Sequence, residues 1–187
     1  TGTRQSDFRR RLRARELLVG TWIKTPSPII VELLGRSALD CVCLDAEHAP
    51  FDRAALDTCL MAARALDLPC LVRTPTSAPA DILNALDGGA TGVQLPHIRN
   101  AGEAAAIVRA SHYGPGGRGY AGSSRAAGYG TKPMARHRQD SAADTCVIAQ
   151  IEDSEGLFEI DAIAATPGLD CLFVGRIDLT VALGAET

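Results

Sequence analysis

The sequence predicts an α/β fold built from repeated βα units, and three observations carry this. Short apolar runs alternate with helix-like stretches at a period of roughly 20 to 30 residues. The runs are continuously apolar rather than alternating, as parallel strands covered on both faces are. The 187-residue length and 46% hydrophobic content suffice for one domain with a real core. Two architectures share this pattern, a (β/α)8 barrel and an open doubly wound sheet.

Six strands follow from the apolar runs: LVGTWI (18–23), CVCLD (41–45), CLVR (70–73), GVQLP (92–96), TCVIAQIE (145–152) and DCLFVG (170–175). Five helices lie between them. PIIVELLGR ends near Gly35. DRAALDTCLMAARAL has Asp52 in the N-cap position, where a carboxylate accepts from an orphan backbone N–H. SAPADILNALDGG begins at Ser77, with Pro79 in its first turn and glycines at its end. NAGEAAAIVRASHY is capped by Asn100, and SEGLFEIDAIAAT is the last. The stretch 114–144, rich in Gly, Ser, Ala and Arg, reads as a long loop, and loops of that length in compact domains are usually functional.

Composition excludes several function classes. A net charge of -3 suggests neither a nucleic-acid partner nor an anionic membrane surface. No apolar run approaches the roughly 20 residues a membrane helix needs. The N-terminal TGTRQSDFRRRLRARELL lacks the apolar core of a signal peptide, and the missing initiator Met predicts a trimmed start. The six cysteines form no C-x-x-C pair and sit in or beside apolar segments, which predicts buried free thiols in a reducing, cytoplasmic setting. GPGGRG (114–119) matches G-x-G-x-x-G but follows a helix instead of a strand, the wrong context for a dinucleotide site.

The strand ends are chemically distinctive. The second ends in Asp45, with Glu47 and His48 just beyond, and the third ends in Arg73. The fifth ends in Gln150 and Glu152, and the sixth in Gly175, followed by Asp178. In a βα barrel all strand C-termini open on one rim, where the chemistry sits. The carboxylates Glu152 and Asp178 suit a divalent cation such as Mg2+, Mn2+ or Co2+. His48 suits a general base, with Asp45 orienting its ring, and Arg73 suits a developing oxyanion. Glu47 reads as structural or supporting. His97, His112 and His137 lack such company and read as surface or structural. Metal, base and cation together suit enolate chemistry on a 2-oxo acid.

These residues resemble the HpcH/HpaI aldolases, the metal-dependent class II pyruvate aldolases. The resemblance runs nearly end to end, through GTWIKTPSPIIVELLGRSALDCVCLDAEHAPFD, LVRTP, GATGVQLPHIRNAGEA, GGRGYAGSSRAAGYG, VIAQIED and LDCLFVGRIDL. It implies a (β/α)8 TIM barrel of the phosphoenolpyruvate/pyruvate type and reversible cleavage of a 4-hydroxy-2-oxo acid into pyruvate and an aldehyde. It implies that Glu152 and Asp178 bind the metal, that His48 is the base with Asp45 as its partner, and that Arg73 stabilises the enolate. Gln150 would line the pocket, and backbone amides of Gly175, Arg176 and Ile177 would receive the pyruvate carboxylate. The family's habit implies a homo-oligomer, a trimer or hexamer, acting on small molecules. Related readings are a citrate-synthase-like or acyl-CoA-lyase-like enolate enzyme, or a non-catalytic barrel.

The chain departs from the family pattern twice. Arg176 stands where the family usually has Pro. The sequence ends at Thr187, soon after the sixth strand, so the single expected domain, 1–187, lacks the last two βα units of a barrel. That predicts an incomplete chain or a partner subunit that completes it.

Overall fold

The computed structural model describes residues 2–185, so the first residue and the last two of the expected domain lie outside the described residues. Six strands form one sheet: β1 (Gly20–Ile23), β2 (Cys41–Asp45), β3 (Cys70–Arg73), β4 (Gly92–Leu95), β5 (Cys146–Ile151) and β6 (Cys171–Val174). They pair in chain order and every neighbouring pair is parallel. That order removes the doubly wound alternative, whose strand sequence reverses at a switch point. The result is a curled, half-barrel α/β sheet.

The helices among the described residues are α1 (Arg4–Arg13), α2 (Pro28–Gly35), α3 (Arg53–Ala65), α4 (Pro79–Asp87), α5 (Ala101–Ser111), α6 (Met134–Asp144), α7 (Ser154–Phe158), α8 (Ile160–Ala164) and α9 (Arg176–Ala182). None is long and apolar enough to cross a membrane.

The inner strands β2 to β5 are buried on both sides, whereas the edge strands β1 and β6 are partly exposed. Val42, Leu44, Val72, Val93, Leu95, Val147, Ala149 and Ile151 pack into the large core against the helices. The alternate positions Cys43, Leu71, Cys146 and Ile148 form a second cluster with Phe8, bordered by Trp22 and Phe173. Side chains alternate with period 2, so Asp45, Arg73 and Gln150 share the face of Cys43, Leu71 and Ile148. The functional candidates therefore extend the second cluster toward the strand C-termini. All six cysteines are free thiols.

Two caps form as the residue types require. Asp52 accepts from the Ala55 N–H at 2.7 Å and Asn100 from the Glu103 N–H at 2.9 Å. Ser77 does not cap α4; it donates its hydroxyl to the Pro96 carbonyl at 2.9 Å, tying the helix start to the end of β4. The last expected helix is two, α7 and α8, parted at Glu159, whose φ of −94° and ψ of 11° leave helical geometry.

The expected loop 114–144 needs correction, because its last third is helix α6. MARHRQDSAAD has no apolar stripe, and His137 is its only buried residue. α1 is similarly polar. It starts with a capping box between Thr3 and Ser6 and buries only Phe8 and Arg9. Arg9 donates to Asp170 at 2.9 Å and to the Ala142 carbonyl at 2.6 Å, while Asp170 also accepts from the Val147 N–H at 3.0 Å. One buried guanidinium thus joins α1, α6 and the strand pair β5–β6.

Candidate functional site

Strand register creates the centre of the site. Asp45 and Arg73 are direct partners across β2 and β3. The Asp45 side chain is fully buried, and the Arg73 guanidinium pairs with it through one hydrogen bond, Nε to Oδ1 at 3.0 Å, and a close ion-pair contact, NH2 to Oδ2 at 2.7 Å. Nε also lies 3.2 Å from Glu47 Oε2, and the guanidinium stacks 4.3 Å over the Trp22 ring. Such a planar donor set, fixed by a carboxylate and an aromatic face, is preorganised for an anionic oxygen. Burial pushes the Asp45 carboxyl up, but the Arg73 and His48 hydrogen bonds outweigh it and hold the group below its ordinary value. Burial also works against the Arg73 cation, yet the bond to Asp45 wins and its pKa rises.

The same pair alters the expected role of Asp45 toward His48. Asp45 Oδ1 accepts from the His48 backbone N–H at 3.0 Å, and its oxygens are otherwise engaged by Arg73 and, at 3.4 Å, by Lys24 Nζ. Asp45 therefore positions His48 through its backbone instead of its ring. The His48 side chain is half exposed, with Nε2 3.7 Å from Glu47 Oε2.

A second chain of contacts fixes Glu152. The Gln94 amide donates to Gln150, and the Gln150 amide donates to Glu152 Oε2. Glu152 Oε1 accepts from the His97 backbone N–H at 2.8 Å, and the residue is 3% exposed. Gly175 closes over it. A Cβ at Gly175 would stand 3.0 Å from Glu152 Cβ and 3.2 Å from Oε2, so a side chain there would press on the carboxylate.

Asp178 sits in the exposed first turn of α9. It lines a cleft of about 440 Å3 that also reaches Asp45, Arg73, Gln150, Arg176 and Ile177. Glu152 borders this cleft through Gly175. A larger cleft, about 780 Å3, lies between α3, α4 and residues 121–129 and holds none of the candidate residues.

Among the described residues, the donor atoms that could hold a metal ion belong to Glu47, His97 and Glu152, all within 4.8 Å of one another. Donors some 2.0–2.2 Å from a common ion stand about 3–4 Å apart, so these side chains would have to close slightly to share one. The Glu47 side chain is nine-tenths buried, and its Oε2 accepts no directed hydrogen bond. Burial raises its pKa, with Arg73 opposing and Glu152 adding to the rise. A cation suits this donor set, because it would compensate a buried, under-bonded carboxylate. Two of the three residues stood outside the expected set. The signal for Glu47 was its place two residues past a strand end. No sequence signal marked His97.

The profile of the HpcH/HpaI aldolase/citrate lyase family matches residues 18–187. A protein named hydroxypyruvate/pyruvate aldolase from Paraburkholderia phytofirmans is 40% identical over 181 residues, covering 93% of this chain and 69% of that one. A 5-keto-4-deoxy-D-glucarate aldolase from Shigella boydii is 38% identical over 178 residues, covering 95% of this chain and 68% of that one. A crystal structure of an HpcH/HpaI aldolase/citrate lyase family protein from Burkholderia cenocepacia superposes with a TM-score of 0.89 at 39% identity, covering 96% of this chain and 72% of that one.

Proposed function

The chain belongs to the HpcH/HpaI aldolase/citrate lyase family and is a metal-dependent class II aldolase, a carbon–carbon lyase; from that premise we propose how its residues divide the work. The reaction is reversible cleavage of a 4-hydroxy-2-oxo acid into pyruvate and an aldehyde, with the six βα units forming part of a (β/α)8 barrel of the phosphoenolpyruvate/pyruvate type. The name of the glucarate aldolase relative favours a substrate among sugar acids.

Glu152 and Asp178 hold the divalent cation, Mg2+, Mn2+ or Co2+. When bound, that cation supplies a Lewis acid beside the 2-oxo group. Backbone N–H groups of Gly175, Arg176 and Ile177 receive the pyruvate carboxylate, and Gln150 packs against it. His48 takes the proton of the 4-hydroxyl as the C3–C4 bond breaks and the electron pair passes to the enolate. Arg73, locked by Asp45 and Trp22, faces the enolate oxygen and stabilises its charge. Protonation at C3 then gives pyruvate. The observation that carries this reading is the buried Asp45–Arg73 pair at the strand ends, because it holds a preorganised cation in the cleft that Gln150 and Asp178 also line.

The protein acts on small molecules as a homo-oligomer, a trimer or hexamer. Exposed apolar side chains such as Val174, Ile177 and Val181 support an interface near α9. The six free thiols fit a cytoplasmic setting.

The test is exchange of the pyruvate methyl protons in D2O, followed by NMR. Exchange should need Mn2+ or Mg2+, stop with chelator, and fall by at least about 100-fold in Arg73→Met, as loss of an oxyanion donor does. Undiminished exchange in Arg73→Met, or exchange in chelator, would remove the assigned roles.

A further inference from the structure

Gln94 is an enclosed amide in the middle of the sheet, 3% exposed, on a strand otherwise made of Gly, Val and Leu. Its register partners are Arg73 on β3 and Ile148 on β5, so it stands on the face that carries Arg73 and Gln150. A buried amide has both a donor and an acceptor end to satisfy. Gln94 gives its NH2 to the Gln150 carbonyl oxygen, and Gln150, 1% exposed, gives its own NH2 to Glu152 Oε2. The direction of this relay is set from the Glu152 end. An ionised carboxylate only accepts, so Gln150 turns its NH2 toward Glu152 and leaves its oxygen for Gln94 to donate to.

Gln94 thereby decides which end of the Gln150 amide meets the carboxylate. Without its donor, the Gln150 oxygen would be a buried acceptor with no partner. The amide would then turn toward the cleft it lines, which Arg73 lines as well. Glu152 depends on the amide as it stands. The His97 N–H holds Oε1 at 2.8 Å and Gln150 holds Oε2, which together fix the plane of the carboxylate. A Cβ at Gly175 would stand 3.2 Å from Oε2 and 3.6 Å from Gln150 Nε2, so both groups meet against the residue that leads into α9 and Asp178.

We propose that Gln94 is a positioning residue for the metal carboxylate. Acting only through Gln150, it holds Glu152 in the orientation that lets one divalent cation be shared with Asp178. This rests on the assignment of Glu152 and Asp178 above and extends that site to a residue on β4 that touches neither cation nor substrate. Groups that orient a ligand from behind change metal affinity about 10- to 100-fold when removed.

A double-mutant cycle read by Mn2+ binding, without turnover, tests this. Free Mn2+ is followed by EPR in the wild type, Gln94→Met, Gln150→Met and the double variant, each checked for folding by circular dichroism. Met fills a similar volume and removes the amide. The expected result is a roughly 10-fold weaker affinity in Gln94→Met and a 10- to 100-fold weaker one in Gln150→Met. The double variant should match Gln150→Met within about twofold, because without Gln150 there is nothing for Gln94 to orient. Penalties that add in full in the double variant would show that Gln94 acts on the fold at large and would overturn the inference. Wild-type affinity in Gln94→Met would overturn it too, while leaving the cation on Glu152 and Asp178 intact. Should Gln94→Met not fold, Gln94→Glu carries the same test: it sets an acceptor against the Gln150 oxygen and should weaken Mn2+ binding at least as much. If the folded wild type binds no Mn2+ at all, this inference falls together with the metal assignment.

Discussion

Asp45→Asn tests the electrostatic frame of the site. Asn is nearly isosteric and keeps a carbonyl oxygen for the His48 N–H and Arg73 Nε, both now 3.0 Å from Oδ1. It replaces Oδ2, 2.7 Å from Arg73 NH2, with an amide NH2, so donor meets donor. It also leaves a guanidinium whose side chain is 9% exposed without its principal counter-charge. Breaking a buried ion pair from one side costs about 3–5 kcal/mol. Glu47 Oε2, 3.2 Å from Arg73 Nε, remains as a partial partner, and the Trp22 face still supports the cation, which favours the lower end of that range. The expected loss is about 3 kcal/mol, equivalent to roughly 6–12 °C in Tm for a chain of this size. Urea denaturation followed by circular dichroism measures it, with an unchanged m-value certifying that the change is in stability. The double variant Asp45→Asn/Arg73→Met should recover part of the loss, since it no longer strands a charge. A single-variant loss below about 1 kcal/mol, or no recovery in the double variant, would refute the claim that Asp45 and Arg73 are a buried, mutually dependent pair.

Two further outcomes follow from other parts of the structure. Gly92→Ala should cost about 3 kcal/mol in the same denaturation assay, because its Cβ would collide with the Cys146 carbonyl oxygen and stand 2.6 Å from Cys146 Cβ on the paired strand; a loss under about 1 kcal/mol would mean the β4–β5 contact is looser than described. Stability should fall on acidification below about pH 6.5 through His137, whose folded pKa is lowered by burial and by the Lys132 and Arg118 charges. The unfolded chain then binds more protons than the fold, so stability is complete above the ordinary histidine pKa and is lost as pH drops toward the lowered one. His112 is lowered too, chiefly by burial, and acts in the same direction. Thermal melts of the wild type and His137→Gln between about pH 7.5 and 5.5 check this, and an equal acid slope in both would exclude His137 as a contributor.

The elements that bury an apolar face were legible from sequence. All six strands stand where mostly apolar runs stand, because the inner strands are covered on both sides and turn polar only toward their C-terminal ends. α3 and α5 begin at Asp52 and Asn100, because those side chains meet a local need of the backbone. α1 and α6 were not legible. Their stability rests on a few tertiary contacts, Phe8, the Arg9–Asp170 pair and His137, which leave no periodic trace. The strand-end polar residues were also readable, since polar groups closing apolar runs are conspicuous, but placing Asp45, Arg73 and Gln150 on one face needed the register between strands.

What those residues do to one another was decided only in three dimensions. Strand pairing chose between barrel-like and doubly wound order, since both arise from the same βα repeat. Register set Arg73 opposite Asp45, which turned Asp45 from a partner of the His48 ring into a partner of a guanidinium. The loop after β4 folded back through a left-handed residue and brought His97 between Glu47 and Glu152, each some 50 positions away in the chain. Spacing in sequence carries no information about such a meeting, because it depends on how the turn after one strand closes over the end of another.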